Sequence, residues 1–293
     1  MSEISNSDNN TDSHNGNPNS FHGNSDISRT NLHNHKNKHH FSFGLVFLFL
    51  LAALAIAIYR YSGNIEAIVA SNIVSSASER KLPIYCVETN EKKVALSFDA
   101  AWGNEDTSKI LEILDEYDIK VTFFMTGGWV ETYPDDVKAI YAAGHDLGNH
   151  SENHKNMSQL SVEECASELD SVTEKVKKLT GYTMELFRPP YGDYDNEVIT
   201  TAASCGYYAI QWDVDSLDWK NYGCESIITT VLNHENLGNG SIILMHNGAE
   251  YTAEALPSVI EGLQNMGYEI VPISELIIRD EYYIDVTGRQ CTG

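Results

Sequence analysis

Short apolar runs alternate with amphipathic patterns along the chain from Val94 onward. Val94–Asp99 has the β-branched and aromatic content of a strand, and the apolar spacing of Thr107–Tyr117 predicts a helix after it. Further strands are predicted at Lys120–Met125, Asp146–His150, Leu186–Arg188, Tyr207–Val214, Ser241–His246 and Glu269–Ile273. Further helices are predicted at Val130–Ala143, Ser161–Leu179, Asn196–Ser204, Glu225–Asn233 and Thr252–Met266. About seven βα units in sequence predict an α/β fold, either a parallel sheet or a β/α barrel.

Local signals mark both ends of the longest predicted helix, Ser161–Leu179. Ser161 followed three residues later by Glu164 forms a capping box, in which each side chain accepts a hydrogen bond from the other residue's backbone amide. Gly181 is of the residue type that most often follows the end of a helix. The helix is therefore expected to start at Ser161 and to stop before Gly181.

Polar side chains appear where several of the apolar strands end, which is where β/α barrels place catalytic residues. His150 and His154 are four positions apart and can bind one divalent metal, and their nitrogens suit zinc, cobalt or iron. Asp99 is expected to act as a general base on water, and His246 as the acid that protonates a leaving amine. Each also has a structural alternative, such as a turn, capping or hydrogen-bonded surface residue.

Two further charged residues are expected to support this acid and base. Arg188 precedes two prolines that stiffen its loop, and a rigid guanidinium beside Asp99 would keep that carboxylate ionised and oriented. Asp215 would raise the pKa of His246 so that the imidazole can act as an acid. The pattern therefore predicts a hydrolytic site at one edge of the sheet.

The N-terminal region differs in composition from the rest of the chain. Residues 1–40 are rich in Asn, Ser, Gly and His, and they are predicted to be disordered because they cannot bury a core. Residues 41–59 are apolar and uncharged, and they are just long enough to span a bilayer as one helix. Residues 60–85 would then form a stalk.

Two alternatives to a membrane anchor exist for the apolar run. A cleaved signal peptide would explain Ala55-Ile56-Ala57, which resembles a cleavage site, but the long polar lead-in favours an uncleaved anchor. A buried core helix is disfavoured because no amphipathic face is visible. Arg29, Lys36 and Lys38 precede the run, so we expect a single-pass protein of the cell membrane with a cytoplasmic N-terminus and an extracytoplasmic catalytic domain.

Charge and cysteine content narrow the classes of partner. The net charge is −23, and it is carried entirely by the residues after position 60. Such a surface repels nucleic acid and anionic lipid and favours a neutral or mixed-charge substrate over a polyphosphate.

The five cysteines are widely spaced, which indicates neither a zinc knuckle nor a dense disulfide framework. The spacing is compatible both with one or two disulfide bridges and with buried free thiols.

Five motifs together resemble the NodB-homology polysaccharide deacetylases, carbohydrate esterase family four. In the family's order and over roughly Val94 to Leu276, they are Ser97-Phe98-Asp99, His150-Ser151-Glu152-Asn153-His154, Arg188-Pro189-Pro190-Tyr191-Gly192, Asp215-Ser216-Leu217-Asp218-Trp219 and Leu244-Met245-His246. Leu82-Pro83-Ile84-Tyr85 and the residues after Phe98 look most like the sporulation-associated branch from Gram-positive bacteria. The resemblance places the deacetylase domain at 86–279, followed by a C-terminal tail at 280–293.

This resemblance implies a distorted (β/α) barrel that removes N-acetyl groups from a cell-wall glycan such as peptidoglycan. The implied cofactor is a divalent metal, zinc or alternatively cobalt, nickel or iron, and neither nucleic acid nor a protein partner is implied. Carried over by position, Asp99 is implied as the base with Arg188 as its partner, and His246 as the acid with Asp215 as its partner. His150 and His154 are implied as the metal ligands. The Tyr191 amide would belong to the oxyanion hole, and Trp219 and Leu244 would form the pocket for the acetyl group.

One position departs from the family pattern. The family usually has two adjacent aspartates after this strand, one as base and one as metal ligand, but Ala100 occupies the second position here. Two histidines alone fall short of the three protein ligands that are usual for catalytic zinc. Glu105 or Asp106 could supply the missing carboxylate, although both also suit the acidic first turn of the next helix. The alternative function is a catalytically weakened, glycan-binding protein, but retention of the acid and the base favours an enzyme.

Overall fold

The computed structural model describes residues 47–61 and 80–293, and the chain divides into two compact units between Ala77 and Ser78. In the first unit, residues 47–61 form a helix, α1, with exposed side chains. Within these two described ranges, no helix is long and apolar enough to cross a membrane. The predicted tail at 1–40, the start of the predicted anchor at 41–46 and most of the predicted stalk, at 62–79, lie outside the described residues.

The second unit alternates strands and helices. Its strands are β1 (Cys86–Val87), β2 (Lys93–Ala100), β3 (Thr122–Met125), β4 (Asp146–Asn149), β5 (Leu186–Phe187), β6 (Tyr208–Ala209), β7 (Val214–Asp215), β8 (Ile242–His246), β9 (Glu269–Ile270), β10 (Tyr282–Ile284) and β11 (Arg289–Thr292). Its helices are α2 (Thr107–Glu116), α3 (Gly127–Thr132), α4 (Pro134–Ala142), α5 (Val162–Thr180), α6 (Asn196–Ser204), α7 (Cys224–Leu232), α8 (Thr252–Asn265) and α9 (Ile273–Leu276).

The main sheet is parallel and open along one side. Its strand order is β6-β5-β4-β3-β2-β8-β7, with β9 paired to the start of β2. The two edge strands, β6 and β7, do not pair with each other. Instead the chain just before β2 crosses the opening, where Ile84 bridges Ile210 on one side and Cys86 bridges Ser241 on the other. The predicted α/β class is confirmed, and the sheet forms a half-barrel.

Apolar residues fill both faces of the central strand β2, as expected for a parallel sheet covered on both sides. Leu96 and Phe98 point to the outer layer, where they pack with helix residues. Ala95 belongs to the smaller apolar cluster inside the curve of the sheet. Because side chains alternate along a strand, Asp99 shares the inner face with Ala95, and Ala100 lies in the outer cluster.

Two predicted elements are wrong in extent. The helix predicted at Val130–Ala143 is two helices, α3 and α4, because the chain turns at Tyr133 and Pro134 then begins α4, where a missing backbone N–H costs nothing. The strand predicted at Tyr207–Val214 is the two strands β6 and β7, which lie at opposite edges of the sheet. Residues 210–213 between them cross the open side.

The capping box of α5 is confirmed. Ser161 accepts a hydrogen bond from the Glu164 amide, and the Glu164 carboxylate accepts one from the Ser161 amide. Gly181 ends the helix with a φ of 79°, a left-handed conformation that suits glycine. At the C-terminus, residues predicted as a tail instead form β10 and β11, which build a small sheet with β1 in the same compact unit. All five cysteines are free thiols.

Candidate active site

A cavity of about 480 Å³ lies at the C-terminal ends of the parallel strands. Every predicted site residue except Arg188 lines it. The full lining is Asp99, Trp102, His150, His154, Tyr191, Trp212, Asp215, Trp219, Leu244 and His246. Asp99 and His246 are direct neighbours across β2 and β8, so the predicted base and acid stand side by side on rigid strands.

Asp99 is held by a buried arginine behind the cavity wall. Arg188 Nη1 donates to Asp99 Oδ1 at 2.7 Å, and Nη2 donates to Ser97 Oγ at 2.8 Å and to the Gln211 carbonyl at 3.2 Å. The guanidinium also lies over the Phe124 ring, 4.1 Å from its centroid. Burial alone would raise the pKa of Asp99, but the charge of Arg188, aided by nearby histidines, lowers it below the usual value. Asp99 is therefore ionised at neutral pH.

His246 is held by Asp218, not by the predicted Asp215. His246 Nδ1 donates to Asp218 Oδ1 at 2.7 Å, which leaves Nε2 for proton exchange. Asp218 is fully buried, and its Oδ2 also accepts from the Thr252 hydroxyl at 2.6 Å. Burial lowers the pKa of His246, but Asp218, with smaller contributions from Asp99 and Asp215, raises it above the usual value.

Asp215 has a different hydrogen-bond partner. Its Oδ1 accepts from the backbone amide of Leu217 at 2.8 Å, and burial raises the pKa of its carboxyl group. It lines the cavity, and its charge still favours the protonated form of His246. Asp218, and not the predicted Asp215, therefore orients the imidazole. The turn after β7 places Leu217 in the left-handed region with φ 56° and brings Asp218 under the His246 ring.

The two predicted metal ligands face the cavity together. Ser151 and His154 both have positive φ values, 63° and 54°, so the loop turns sharply enough to bring the two imidazoles within 5.0 Å, centroid to centroid. His150 Nδ1 donates to the Arg188 carbonyl at 2.7 Å, and its Nε2 lies 3.5 Å from Asp99 Oδ2. Burial lowers the pKa of His150 to about 4, so its ring is neutral at pH 7.

The donor set does not complete a three-ligand metal site. Among the described residues, no group of three His, Cys, Asp or Glu side chains is arranged to hold a metal ion. Ala100 has no donor atom, and its side chain lies in the outer apolar layer. Glu105 accepts from the Asn104 amide and Asp106 from the Gly248 amide, and neither lines the cavity. The predicted substitute ligand is therefore absent from the cavity wall, and the cavity offers two nitrogen donors where a catalytic zinc usually has three ligands.

The loop after Arg188 presents a backbone amide at the cavity. Tyr191 has a φ of 60°, and its ring lies 4.5 Å from that of His154, centroid to centroid. The neighbouring amides of Gly192 and Asp193 donate to Pro189 and Pro190, whereas the Tyr191 amide donates to no group in the described part of the chain. An unpaired N–H in this position is suited to bind an oxyanion.

Three site residues escaped prediction. Trp102 stacks on the His246 ring, with 5.4 Å between centroids, and is 44% exposed at the rim. Trp212 lies in the segment that was predicted as one continuous strand. Asp218 was visible in the sequence as part of the Asp215-to-Trp219 motif, but nothing in a strand-and-turn pattern tells which of its two carboxylates meets His246.

Known proteins share this fold and part of the sequence. Residues 87–210 match the polysaccharide deacetylase family. The peptidoglycan-N-acetylmuramic acid deacetylase PdaA of Bacillus subtilis is 31% identical over 231 residues, which cover 76% of this chain and 86% of PdaA. The chain belongs to the polysaccharide deacetylase family. Members of this carbohydrate esterase family are hydrolases and are generally metal-dependent.

Two other relatives show the range within the family. The uncharacterised protein YlxY of Bacillus subtilis is 35% identical over 195 residues, so the match spans 67% of this chain but only 60% of YlxY. A solved structure of a family pseudoenzyme from Bacillus anthracis is 36% identical, with a TM-score of 0.64, and the match covers 66% of this chain and 68% of that one. A mutant of that protein is described as having restored enzymatic activity, at 38% identity and the same TM-score.

Proposed function

We propose that this deacetylase domain removes N-acetyl groups from a cell-wall glycan. The observation that carries the proposal is the pairing of Asp99 with Arg188 beside the pairing of His246 with Asp218. Asp99 and His246 lie on the adjacent strands β2 and β8 and line one cavity, and each is bonded to its buried partner. One partner keeps a carboxylate ionised while the other favours a protonated imidazole, and amide hydrolysis needs that combination at neutral pH.

Asp99 begins the reaction as the general base. It takes a proton from a water molecule as the water oxygen attacks the acetyl carbonyl carbon. Asp99 Oδ1 is occupied by Arg188, so Oδ2 is the oxygen available to receive this proton. The lowered pKa keeps the carboxylate ionised, and the fixed guanidinium keeps it oriented before substrate arrives.

The Tyr191 amide and His246 complete the reaction. The attack produces a tetrahedral intermediate whose oxyanion would accept a hydrogen bond from the Tyr191 N–H. His246 Nε2 then gives its proton to the leaving nitrogen as the carbon–nitrogen bond breaks, which yields acetate and a free amine on the sugar. Trp219 and Leu244 line the same cavity and would contact the acetyl methyl group. No step is assigned to a metal, because the cavity supplies only two nitrogen donors.

The proposal also covers the substrate and the cellular location of the protein. We infer peptidoglycan as the substrate, because PdaA carries that name and the acidic surface disfavours polyphosphates. We also infer that residues 41–59 anchor the protein in the cell membrane with the N-terminus in the cytoplasm. Cell fractionation with protease treatment of intact protoplasts tests the location: recovery of the full-length protein in the soluble fraction would contradict it.

Acetate release is the direct test of the activity. The purified full-length protein is incubated with N-acetylglucosamine oligomers and with peptidoglycan, without added metal and with zinc, cobalt, nickel or iron. We expect acetate from at least one substrate. Glycan binding without acetate, from protein with the circular dichroism of a folded α/β domain, would instead support the glycan-binding alternative that Ala100 raises.

A further inference from the structure

A positively charged side chain lies between two exposed aromatic rings at the rim of the cavity. Lys220 Nζ is 5.1 Å from the centroid of Trp219 and 5.9 Å from that of Tyr222. As whole residues, Trp219 is 50% exposed and Tyr222 is 70% exposed. Trp219 also lines the cavity, so this rim cluster of Trp219, Lys220 and Tyr222 continues the cavity wall outward.

The backbone holds the rim cluster in place. Leu217 and Asn221 flank the turn Asp218–Lys220, and both have left-handed backbones, with φ values of 56° and 52°. Asp218 within the same turn is fully buried and bonded to His246. The position of Lys220 is therefore tied to the acid of the proposed reaction.

The charge of Lys220 is not used by a protein carboxylate. Within residues 80–293, no Asp or Glu forms an ion pair with Lys220, although Asp215 is close enough for the ammonium to lower its pKa. The guanidinium of Arg188 is fully buried and bonded to Asp99, so it is not accessible to a ligand at the rim. Lys220 is thus a cation without a carboxylate partner beside the cavity rim, in a protein with a net charge of −23.

We propose that the rim cluster binds a carboxylate-bearing sugar unit of the glycan, and this rests on the proposed function for the identity of the polymer. The faces of Trp219 and Tyr222 offer stacking surfaces for sugar C–H groups, and the Lys220 ammonium pairs with the carboxylate. A neutral N-acetylglucosamine polymer has no group for this ammonium. A muramic acid unit has one, either on its lactyl ether or on an attached peptide stem, so the site selects muramic-acid-containing glycan.

Substitution of Lys220 tests this selectivity. The full-length protein, K220M and K220R are compared on three ligands: a neutral N-acetylglucosamine oligomer, peptidoglycan glycan stripped of its peptides, and glycan with intact stems. We expect K220M to lower the ratio of kcat/KM for stripped glycan to that for the neutral oligomer by about fivefold, the size of an exposed ion pair. K220R retains the charge and should keep most of the ratio. A loss on stem-bearing glycan alone would assign the carboxylate to the peptide.

A structural role for Lys220 predicts a different result. If Lys220 only supported Trp219, K220M would slow all three substrates equally, and that outcome would overturn the proposal. The same would follow if the kcat/KM ratios of stripped glycan and of stem-bearing glycan to the neutral oligomer were both unchanged in K220M. K178M, which removes a lysine from the last turn of α5 and not from the cavity lining, is the control for lost positive charge.

Binding measurements keep this test separate from the activity. Calorimetric titration with stripped glycan, with stem-bearing glycan and with the neutral oligomer gives ratios of Kd values that do not require turnover. If no variant releases acetate, the proposed function fails, but the fivefold change in the Kd ratio on K220M is still expected. If the Kd ratios of stripped glycan and of stem-bearing glycan to the neutral oligomer were both equal in the unmodified protein and K220M, the rim cluster would be rejected as a carboxylate site even if the enzyme is active.

Discussion

Asp99 and His246 stand side by side, but their pKa values move in opposite directions. Burial disfavours the charged form of both groups, so each shift is produced by the partner: the guanidinium of Arg188 in one case and the carboxylate of Asp218 in the other. The two groups therefore occupy the protonation states that a base and an acid require. The residue types and strand ends could be predicted from the sequence, whereas the partner of His246 could not, because it depends on one left-handed turn.

The corrected partner leads to a prediction about pH dependence. His246 must be protonated to act as an acid, so activity falls as pH rises through its pKa. Removing a nearby negative charge lowers this pKa and moves the fall in activity to lower pH. We expect a larger movement for D218N than for D215N, because Asp218 bonds the ring and Asp215 acts only through its charge. The measurement is the pH profile of kcat/KM, and equal movements would contradict the assignment.

Ser97 supports Arg188 from beneath the cavity. Its buried hydroxyl accepts from Arg188 Nη2 and donates to the Ile243 carbonyl, both at 2.8 Å. S97A leaves both partners short of a hydrogen bond, which we expect to cost about 1–3 kcal/mol in the free energy of unfolding. Chemical denaturation measures this loss. S204A, at an exposed site in α6, is the control and should change it by less than about 0.5 kcal/mol; similar effects of both variants would refute the role of Ser97.

At the scale of elements, the sequence predicted best where a pattern repeats over many residues. The strand β2 and the helix α5 were predicted within about one residue, because apolar spacing and the capping box act locally. The division of Val130–Ala143 was missed although Pro134 signals it. The crossing between β6 and β7 was missed because a strand of two residues is too short to show an alternating pattern of apolar and polar residues. The separation of the two strands depends on how all the strands of the sheet are ordered.

The capping box gives a prediction for α5 alone. S161A removes the side chain that accepts from the Glu164 amide, so we expect the free energy of unfolding to fall by about 1 kcal/mol. Ser161 does not line the cavity, and kcat/KM should stay within about twofold. S167A makes the same substitution at an exposed site inside the same helix and leaves the cap intact, so it should be neutral or slightly stabilising. Denaturation curves that coincide for S161A and S167A would show that the cap contributes nothing.

At the scale of the whole molecule, burial makes protonation of His145 unfavourable in the folded state. His145 is 5% exposed, and its Nδ1 accepts from the Val121 amide at 3.3 Å. Burial, with a smaller effect from Lys120, lowers its pKa from 6.5 to about 4. The folded protein therefore keeps His145 neutral at pH values where the unfolded chain binds a proton.

This difference predicts acid sensitivity of the folded state. The stability contributed by neutral His145 is complete above pH 6.5 and is lost as the pH falls from 6.5 towards 4. At pH 5 we expect the loss to be about 2 kcal/mol in the free energy of unfolding. H145N keeps an acceptor but cannot be protonated, so its stability should fall less between pH 7 and pH 5. Denaturation at both pH values measures the difference, and parallel losses in both proteins would exclude His145 as a cause.

We propose that Asp99 activates water for deacetylation of a glycan, and acetate release by the unmodified protein and by D99N tests this role most directly. Asparagine keeps the size of the side chain and an acceptor for Arg188, but it cannot take a proton. On the substrate that gives acetate, we expect D99N to reduce kcat at least about 100-fold, the usual contribution of a general base, while the Kd for the glycan stays within about threefold. Acetate release by D99N at the rate of the unmodified protein would contradict this role of Asp99.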